Sequence, residues 1–135
     1  MSGEDVVLGV DASTTACKVL AASRDGSIVA EARAAYPRTS PAPDGWEQDA
    51  EAWWTALTVA VRAVVAALDG RRVAGVSVAC QRETCVLTDS AWRPLAPALL
   101  WMDMRCRAEV AAVRDLLGED ALLARTGKMP CTTPS

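Results

Sequence analysis

The chain has 135 residues, of which 51% are hydrophobic, and a formal net charge of −3. This composition argues against disorder, and the acidic balance argues against nucleic-acid binding, which needs clustered lysine and arginine. No apolar run reaches the roughly 18 residues of a membrane span, and the acidic N-terminus lacks the apolar segment of a secretory signal. We therefore expect a single cytoplasmic domain that contacts neither nucleic acid nor membrane.

The chain contains five cysteines and no histidine. The cysteines form no CxxC pair, so the usual Cys/His zinc patterns and the histidine-dependent catalytic triads are excluded within this sequence. An odd number of cysteines favours reduced, mostly buried thiols in a cytosolic protein. Acid–base chemistry in this chain must fall to carboxylates or lysine.

The first part of the chain predicts three strands joined by short turns, at residues 6–11, 16–22 and 27–36. The Asp25-Gly26 pair is a strong hairpin signal between the second and third strands. A proline-rich loop follows, and then a helix is expected over residues 50–69, with Asp49 as its N-cap and Gly70 at C′. Apolar residues at helical spacing predict its inward face, namely Trp54, Leu57, Val61, Val64, Val65 and Leu68.

The second part predicts shorter elements. A central strand over 73–79 precedes strands at 84–88 and 98–101. Asp103 is expected to cap a helix over 104–117 with Val110, Val113, Leu116 and Leu117 inward, and a short third helix over 119–125 is expected to end at Gly127. Three strands, a helix, and then strands and helices again indicate a mixed α/β fold. The end at Pro134-Ser135 resembles an interruption within a loop.

Asp11 is the first candidate for chemistry, because it closes an otherwise apolar strand. A buried and unpaired carboxylate is costly, so Asp11 must pair with Lys18 or a backbone N–H, or face a site. In the first case it is a strand-end acid that caps a turn. In the second case it contacts a metal, and Mg²⁺ favours one or two carboxylates together with substrate phosphates.

Ser13, Thr14 and Thr15 follow Asp11 and supply three hydroxyls and a turn of backbone N–H groups. Such concave turns bind anions, although Ser and Thr are also common in ordinary β-turns. Lys18 favours the phosphate interpretation, because phosphoryl transfer needs a cation near the developing charge. No helix pattern follows directly, so this is not a Walker or Rossmann site.

Gln81, Arg82 and Glu83 follow directly on the predicted central strand. Charged side chains at a strand end in an α/β protein indicate the crevice where ligands bind. Arg82 and Glu83 together donate and accept hydrogen bonds, which suits a polyhydroxyl ligand. The alternative is a solvated turn with a local ion pair. Trp101 also ends a strand, and its indole face is suited to stack on the C–H face of a sugar or polyol.

Three segments together resemble the FGGY family of carbohydrate kinases, in the family's order along nearly the whole chain. They are Val10-Asp11-Ala12-Ser13-Thr14-Thr15 with Lys18, Gly45-Trp46-Glu47-Gln48-Asp49 with Trp53-Trp54, and Cys80-Gln81-Arg82-Glu83-Thr84 followed by Pro94-Leu95 and Leu100-Trp101-Met102-Asp103-Met104-Arg105. Thr126-Gly127 near the end is also similar. The usual glycine before the threonines is Ser13 here. The resemblance implies the N-terminal lobe of an ATP-dependent kinase, with an actin-like, ribonuclease H-like fold.

The resemblance also implies roles for the candidate residues. Asp11 would help hold Mg²⁺, and Ser13, Thr14, Thr15 and Lys18 would contact the phosphates of ATP. Gln81, Arg82, Glu83 and Trp101 would bind the acceptor.

The Gln-Arg-Glu run is closest to glycerol kinase-like members, because xylulokinase-like members carry Met-His in place of Arg82-Glu83. Trp53-Trp54 and its surroundings look more xylulokinase-like, so the identity of the sugar or polyol stays open.

The resemblance places the catalytic aspartate and the adenine-binding segments beyond residue 135. We therefore expect a missing C-terminal lobe as a partner, with a homodimer left open, and no turnover by residues 1–135 alone. The alternative is a truncated, non-catalytic domain that binds a carbohydrate or a partner protein through an exposed apolar face.

Overall fold

The computed structural model describes residues 5–132 and divides the chain into two compact units. The first unit contains the chain up to Arg38 and the segment Asp49–Gln81. The second unit contains Thr39–Gln48 and the chain from Arg82 onward. The elements in chain order are β1 (Val6–Ala12), β2 (Ala16–Ser23), β3 (Ile28–Ala35), β4 (Glu47–Gln48), α1 (Ala50–Ala66), β5 (Val73–Cys80), β6 (Ala98–Leu99), α2 (Arg107–Leu117) and α3 (Glu119–Thr126).

The first unit is built on a four-stranded mixed sheet with the order β3-β2-β1-β5. β1, β2 and β3 form the antiparallel meander that the turn signals predict, and Gly26 adopts a φ of 87° in the second turn. After α1 the chain returns to pair β5 parallel to β1. Within the described residues β5 lies at the edge of this sheet, so the expectation of a central strand is wrong.

The core of the first unit lies between the sheet and α1. Alternate residues of β1 point into it, and Val6, Leu8 and Val10 are at most 4% exposed. The buried stripe of α1 contains Ala56, Ala60 and Val64, with partly buried Ala52 and Leu57 beside it. Alanine lets a helix approach a sheet closely, and this explains why small residues occupy the contact.

The predicted inward face of α1 is therefore only partly correct. Val64 and Leu68 are buried, whereas Trp54 is 64% exposed and Val65 is 47% exposed. The N-cap prediction is confirmed, because the Asp49 carboxylate accepts a hydrogen bond of 3.0 Å from the Glu51 N–H. The helix ends at Ala66 with Ala67 as C-cap, so Gly70 lies in the following turn and not at C′.

The second unit contains a two-stranded antiparallel sheet of β4 and β6 together with α2 and α3. The strand predicted over 84–88 is wrong, because this segment forms only the isolated bridges Cys85↔Leu99 and Thr88↔Pro94. The chain turns sharply just after it, where Asp89 accepts hydrogen bonds from two following N–H groups.

The helices of the second unit also differ in part from the prediction. α2 begins at Arg107, with Cys106 and not Asp103 at the N-cap position. None of the residues of α2 is buried, and Leu116 is 80% exposed, so the expected inward face is wrong. α3 matches the predicted third helix, and Gly127 ends it with a φ of 69°.

Candidate functional site

Asp11 presents an exposed carboxylate near the end of β1. It stands opposite Lys18 of β2 and beside Ala79 of β5 in the strand register. Since side chains alternate along a strand, Asp11 lies on the face of the sheet that turns away from buried Val10. Among residues 5–132, no hydrogen bond or ion pair engages this carboxylate. The turn-capping interpretation of Asp11 therefore has no contact to support it.

The charge of Asp11 acts on its buried neighbours. Burial, and then the negative charge of Asp11, raise the pKa of the Cys17 thiol. Burial, and then the charges of Cys17 and Asp11, raise the pKa of Tyr36 to about 12. A carboxylate whose charge still reaches nearby groups, and which has no cation of its own, is suited to attract one.

The hydroxyl-rich turn between β1 and β2 is fixed by its own hydrogen bonds. The Ser13 N–H and hydroxyl both donate to the Ala16 carbonyl, at 3.1 and 3.2 Å. The Tyr36 hydroxyl donates to the Ser13 carbonyl, and the Tyr36 N–H donates to the Thr15 carbonyl at 3.2 Å. The turn is thus held by Tyr36, the residue directly after β3, and Thr14 stands half-buried at its centre.

Ser13 in place of glycine does not strain this turn. The described non-glycine residues with positive φ are Asp44, Asp69, Glu83 and Trp92, and Ser13 is not among them. Because its N–H and its hydroxyl both donate to the Ala16 carbonyl, Ser13 would have to give up one of these hydrogen bonds to donate to a phosphate. Thr15 is exposed and Thr14 is half-buried.

Lys18 points to the same exposed face but pairs with Glu31. Its Nζ lies 3.3 Å from Glu31 Oε2, and the two side chains are 50% and 61% exposed. Such exposed pairs contribute little stability and rearrange readily. Lys18 is therefore available to a stronger anion, and it does not neutralise Asp11 even though the two stand opposite each other.

Gln81 continues the β1–β5 ladder one residue beyond the strand, since its N–H donates to the Ala12 carbonyl at 3.0 Å. Arg82, at the start of the second unit, is 89% exposed, and its Nη2 lies 3.5 Å from Glu83 Oε1. This is the local ion pair of the alternative interpretation. Glu83 itself is different, because its side chain is only 16% exposed.

Trp101 lies beside Thr84, the residue that follows Glu83. Its backbone N–H donates to Thr84 Oγ1 at 3.2 Å, and the residue is 42% exposed. Reciprocal backbone hydrogen bonds between Cys85 and Leu99, at 3.0 and 2.8 Å, hold the two segments together. The structure therefore brings Arg82, Glu83 and Trp101 into one part of the second unit.

Asp103 ties the second unit together and does not cap a helix. Its carboxylate accepts hydrogen bonds from the Trp46 N–H at 2.8 Å and from Arg105 Nη2 at 2.7 Å, and Arg105 also reaches Glu47. Burial alone would raise the pKa of Asp103, but the hydrogen bonds from Arg105 and Trp46 and the charge of Arg105 lower it overall. This carboxylate is a structural group.

Lys128 is a site neighbour that the sequence does not reveal. It lies just beyond α3, and its Nζ donates to Glu83 Oε1 across 45 residues of chain. No local pattern links two such positions. The one hint in the sequence that Lys128 contacts the candidate site is its place as a charged residue directly after Gly127.

The donor set limits how a metal could be held. Residues 5–132 contain no group of three or more His, Cys, Asp or Glu side chains that could hold a metal ion. A single carboxylate fits Mg²⁺ only when phosphates and water complete the coordination.

Within residues 5–132 no helix has both the length and the apolar character to cross a membrane.

The chain is similar in sequence to known proteins. Residues 6–134 match the FGGY family of carbohydrate kinases, N-terminal domain. The chain is 37% identical over 127 residues to a xylulose kinase of Streptomyces coelicolor, covering 93% of this chain and 26% of that protein. It is 34% identical over 131 residues to a glycerol kinase of Rhodospirillum centenum, covering 94% and 26%.

A solved structure gives the same picture. The crystal structure of a xylulose kinase from Rhodospirillum rubrum superposes with a TM-score of 0.91 at 28% identity, covering 95% of this chain and 27% of that one. The mixed α/β fold predicted from the sequence is thus confirmed as that of the N-terminal lobe of these kinases. The chain spans about a quarter of the length of the relatives it matches.

Proposed function

Because the chain belongs to the FGGY family of carbohydrate kinases, we propose that it forms the phosphate- and acceptor-binding N-terminal part of an ATP-dependent sugar or polyol kinase. The observation that carries this proposal is the Asp11 carboxylate, which is exposed, without a hydrogen bond or ion pair among the described residues, and next to a rigid hydroxyl-rich turn. A cytoplasmic location accompanies the proposal. Of the five cysteines only Cys17 is buried, so the expectation of mostly buried thiols is wrong.

Magnesium and ATP fit the residues of the first unit. Asp11 would hold the metal together with phosphate oxygens and water, and the bound metal would neutralise charge on the transferred phosphoryl group. Thr14 and Thr15 would donate hydrogen bonds to the phosphates through hydroxyl and N–H groups. The Lys18 ammonium would leave Glu31 and pair with the phosphates. Positioning and electrostatic stabilisation supply most of the acceleration in phosphoryl transfer.

A sugar or polyol fits the residues of the second unit. Arg82 donates to hydroxyl oxygens, Glu83 accepts from hydroxyl groups, and the half-exposed indole of Trp101 supports the apolar face of the acceptor. The Arg-Glu pair favours a glycerol kinase-like acceptor. The relatives divide between xylulose and glycerol kinases, so both substrate classes belong in the test.

The proposal includes a proton acceptor from a C-terminal lobe, because the relatives are about four times as long as this chain. Two carboxylates of the second unit are already engaged within residues 5–132, Glu83 by Lys128 and Asp103 by Arg105. We therefore expect residues 1–135 alone to show no turnover.

The test is a panel of glycerol, xylulose, ribulose, erythritol and gluconate with the full gene product, measured as ATP-dependent ADP release. We expect one or more of them to be phosphorylated, and residues 1–135 alone to be inactive with all five. The Asp11→Asn variant sets the background. Release no faster than that background with every acceptor would contradict the kinase proposal.

A second candidate function, a non-catalytic binding domain, is favoured by one observation. Val76 and Val78 of β5 stand beside Leu8 and Val10 in the register, yet they are 62% and 64% exposed because α1 packs on β2 and β3. If the chain is part of a kinase, we expect the C-terminal part of that protein to cover this strand. In a separate binding domain, the strand stays open to a partner.

The Val78→Lys variant separates the two. If the proposed C-terminal lobe covers β5, this charge destabilises the full gene product and leaves the stability of residues 1–135 nearly unchanged. Equal stability of variant and wild type in both forms, measured by thermal unfolding, would favour the open binding domain. Val10→Lys is the matched control, since its position is 4% exposed and should destabilise both forms.

A further inference from the structure

Glu83 is held by a residue that lies far away in the sequence. Its carboxylate accepts a hydrogen bond and ion pair from Lys128 Nζ, and the two side chains are 16% and 34% exposed. The exposed Arg82 guanidinium approaches the same oxygen, at 3.5 Å. Of Lys128 and Arg82, Lys128 is thus the less exposed cation.

The backbone on both sides of this pair is constrained. Glu83 has a φ of 62°, which is uncommon for a non-glycine residue and persists only where the surroundings hold it. Gly127 adopts the left-handed conformation, and Lys128 follows it directly. The Lys128 N–H donates to Thr126 Oγ1 at 3.1 Å. Thr126 Oγ1 in turn lies 2.8 Å from the Leu122 carbonyl of α3. The end of a helix therefore fixes the start of the lysine side chain.

We infer that Lys128 is a positioning residue for the acceptor, which orients the Glu83 carboxylate towards the hydroxyl groups of the sugar or polyol. The inference rests on the proposed function. An ionised carboxylate has about four acceptor sites, so a lysine bound to one oxygen fixes its direction while leaving capacity for a hydroxyl. Lys128 would therefore affect the binding of the acceptor, and not that of ATP.

The experiment uses the full gene product with glycerol and xylulose as acceptor probes. Lys128→Met removes the charge but keeps an apolar side chain of similar length, and Lys128→Arg keeps the charge. We expect Lys128→Met to raise the KM for the acceptor about tenfold or more and to leave the KM for ATP within about twofold. Lys128→Arg should recover most of the loss.

Arg125→Met is the matched control, because Arg125 is a cation in the last turn of α3 that, in the described part of the chain, forms no ion pair with Glu83. It should leave both KM values unchanged. Thermal unfolding of each variant separates lost positioning from lost folding. In the Glu83→Gln background, Lys128→Met should add little further effect, because the partner carboxylate is already gone.

The outcomes separate the two claims. No phosphorylation by the wild type would overturn both the proposed function and this inference. An active wild type with an unchanged acceptor KM in Lys128→Met would overturn the inference alone. An equal rise in the KM for ATP, failure of Lys128→Arg to restore binding, or full additivity with Glu83→Gln would overturn it as well.

Discussion

Two aspartates, Asp11 and Asp103, stand in opposite surroundings in this chain. Asp103 is 6% exposed and accepts hydrogen bonds from the Trp46 backbone and from the backbone and guanidinium of Arg105. Asp11 is exposed and, in the described part of the chain, accepts none. A carboxylate saturated by protein donors can only support the fold. One that the protein leaves without donors remains available to a ligand.

The largest expected effect is on catalysis by Asp11→Asn. The change preserves shape but removes the charge that would hold the metal, so turnover of the full gene product should fall by about 100-fold or more. Thermal stability should be unchanged, because within residues 5–132 the carboxylate has no hydrogen bond or ion pair to lose. Steady-state kinetics and thermal unfolding of one preparation test both halves. Retained turnover would contradict a role of Asp11 in metal binding, and a large loss of stability would show that Asp11 supports the fold.

Asp103→Asn should have the opposite profile. The amide cannot serve both Trp46 and Arg105 as the carboxylate does, so we expect a loss of about 1–3 kcal/mol in the free energy of unfolding. Chemical denaturation of residues 1–135 measures it. An Asp103→Asn protein as stable as wild type would mean that this network does not support the fold.

The pH dependence of stability sharpens the same contrast. Since the pKa of Asp103 is lowered in the folded state, its contribution is complete above the unfolded value of about 3.9 and is lost as pH falls through the lower folded value. The stability difference between wild type and Asp103→Asn should therefore shrink on acidification from about pH 5 to pH 2. Denaturation curves across this range test it, and a difference that stays constant or grows would be the wrong sign.

The smallest effect is expected from Glu31→Gln. The exposed Lys18–Glu31 pair should contribute less than about 1 kcal/mol to stability. If Lys18 serves phosphate and not Glu31, turnover should stay within about twofold of wild type, whereas Lys18→Met should lower it clearly. Kinetics of the two variants side by side make the comparison. Equal losses in both would show that the ion pair itself is the functional unit.

Local patterns predict part of this molecule and long-range contacts decide the rest. The β-meander follows from strand alternation and Asp25-Gly26, and the start of α1 follows from Asp49. The inward face of α1 does not, because hydrophobicity favours Trp54 while close packing on the sheet favours Ala56 and Ala60. A small residue lets the helix pack closely on the sheet, whereas a larger side chain at the same position would hold the helix and the sheet too far apart.

The candidate site shows the same division. Asp11 and the hydroxyl-rich turn are adjacent in sequence, so their grouping is predictable. Asp103 resembles a helix cap locally, and only the fold reveals that it receives Trp46 from 57 positions away. The pairing of Glu83 with Lys128 is equally remote, at a separation of 45. Binding of phosphate or acceptor by these residues stays a prediction.

The most direct measurement is a crystal structure of the full gene product with Mg²⁺ and a non-hydrolysable ATP analogue. The account predicts that the Asp11 carboxylate contacts the metal directly or through one water, and that Thr14 or Thr15 donates a hydrogen bond to a phosphate oxygen. Phosphates bound elsewhere, with Asp11 facing only solvent, would contradict it.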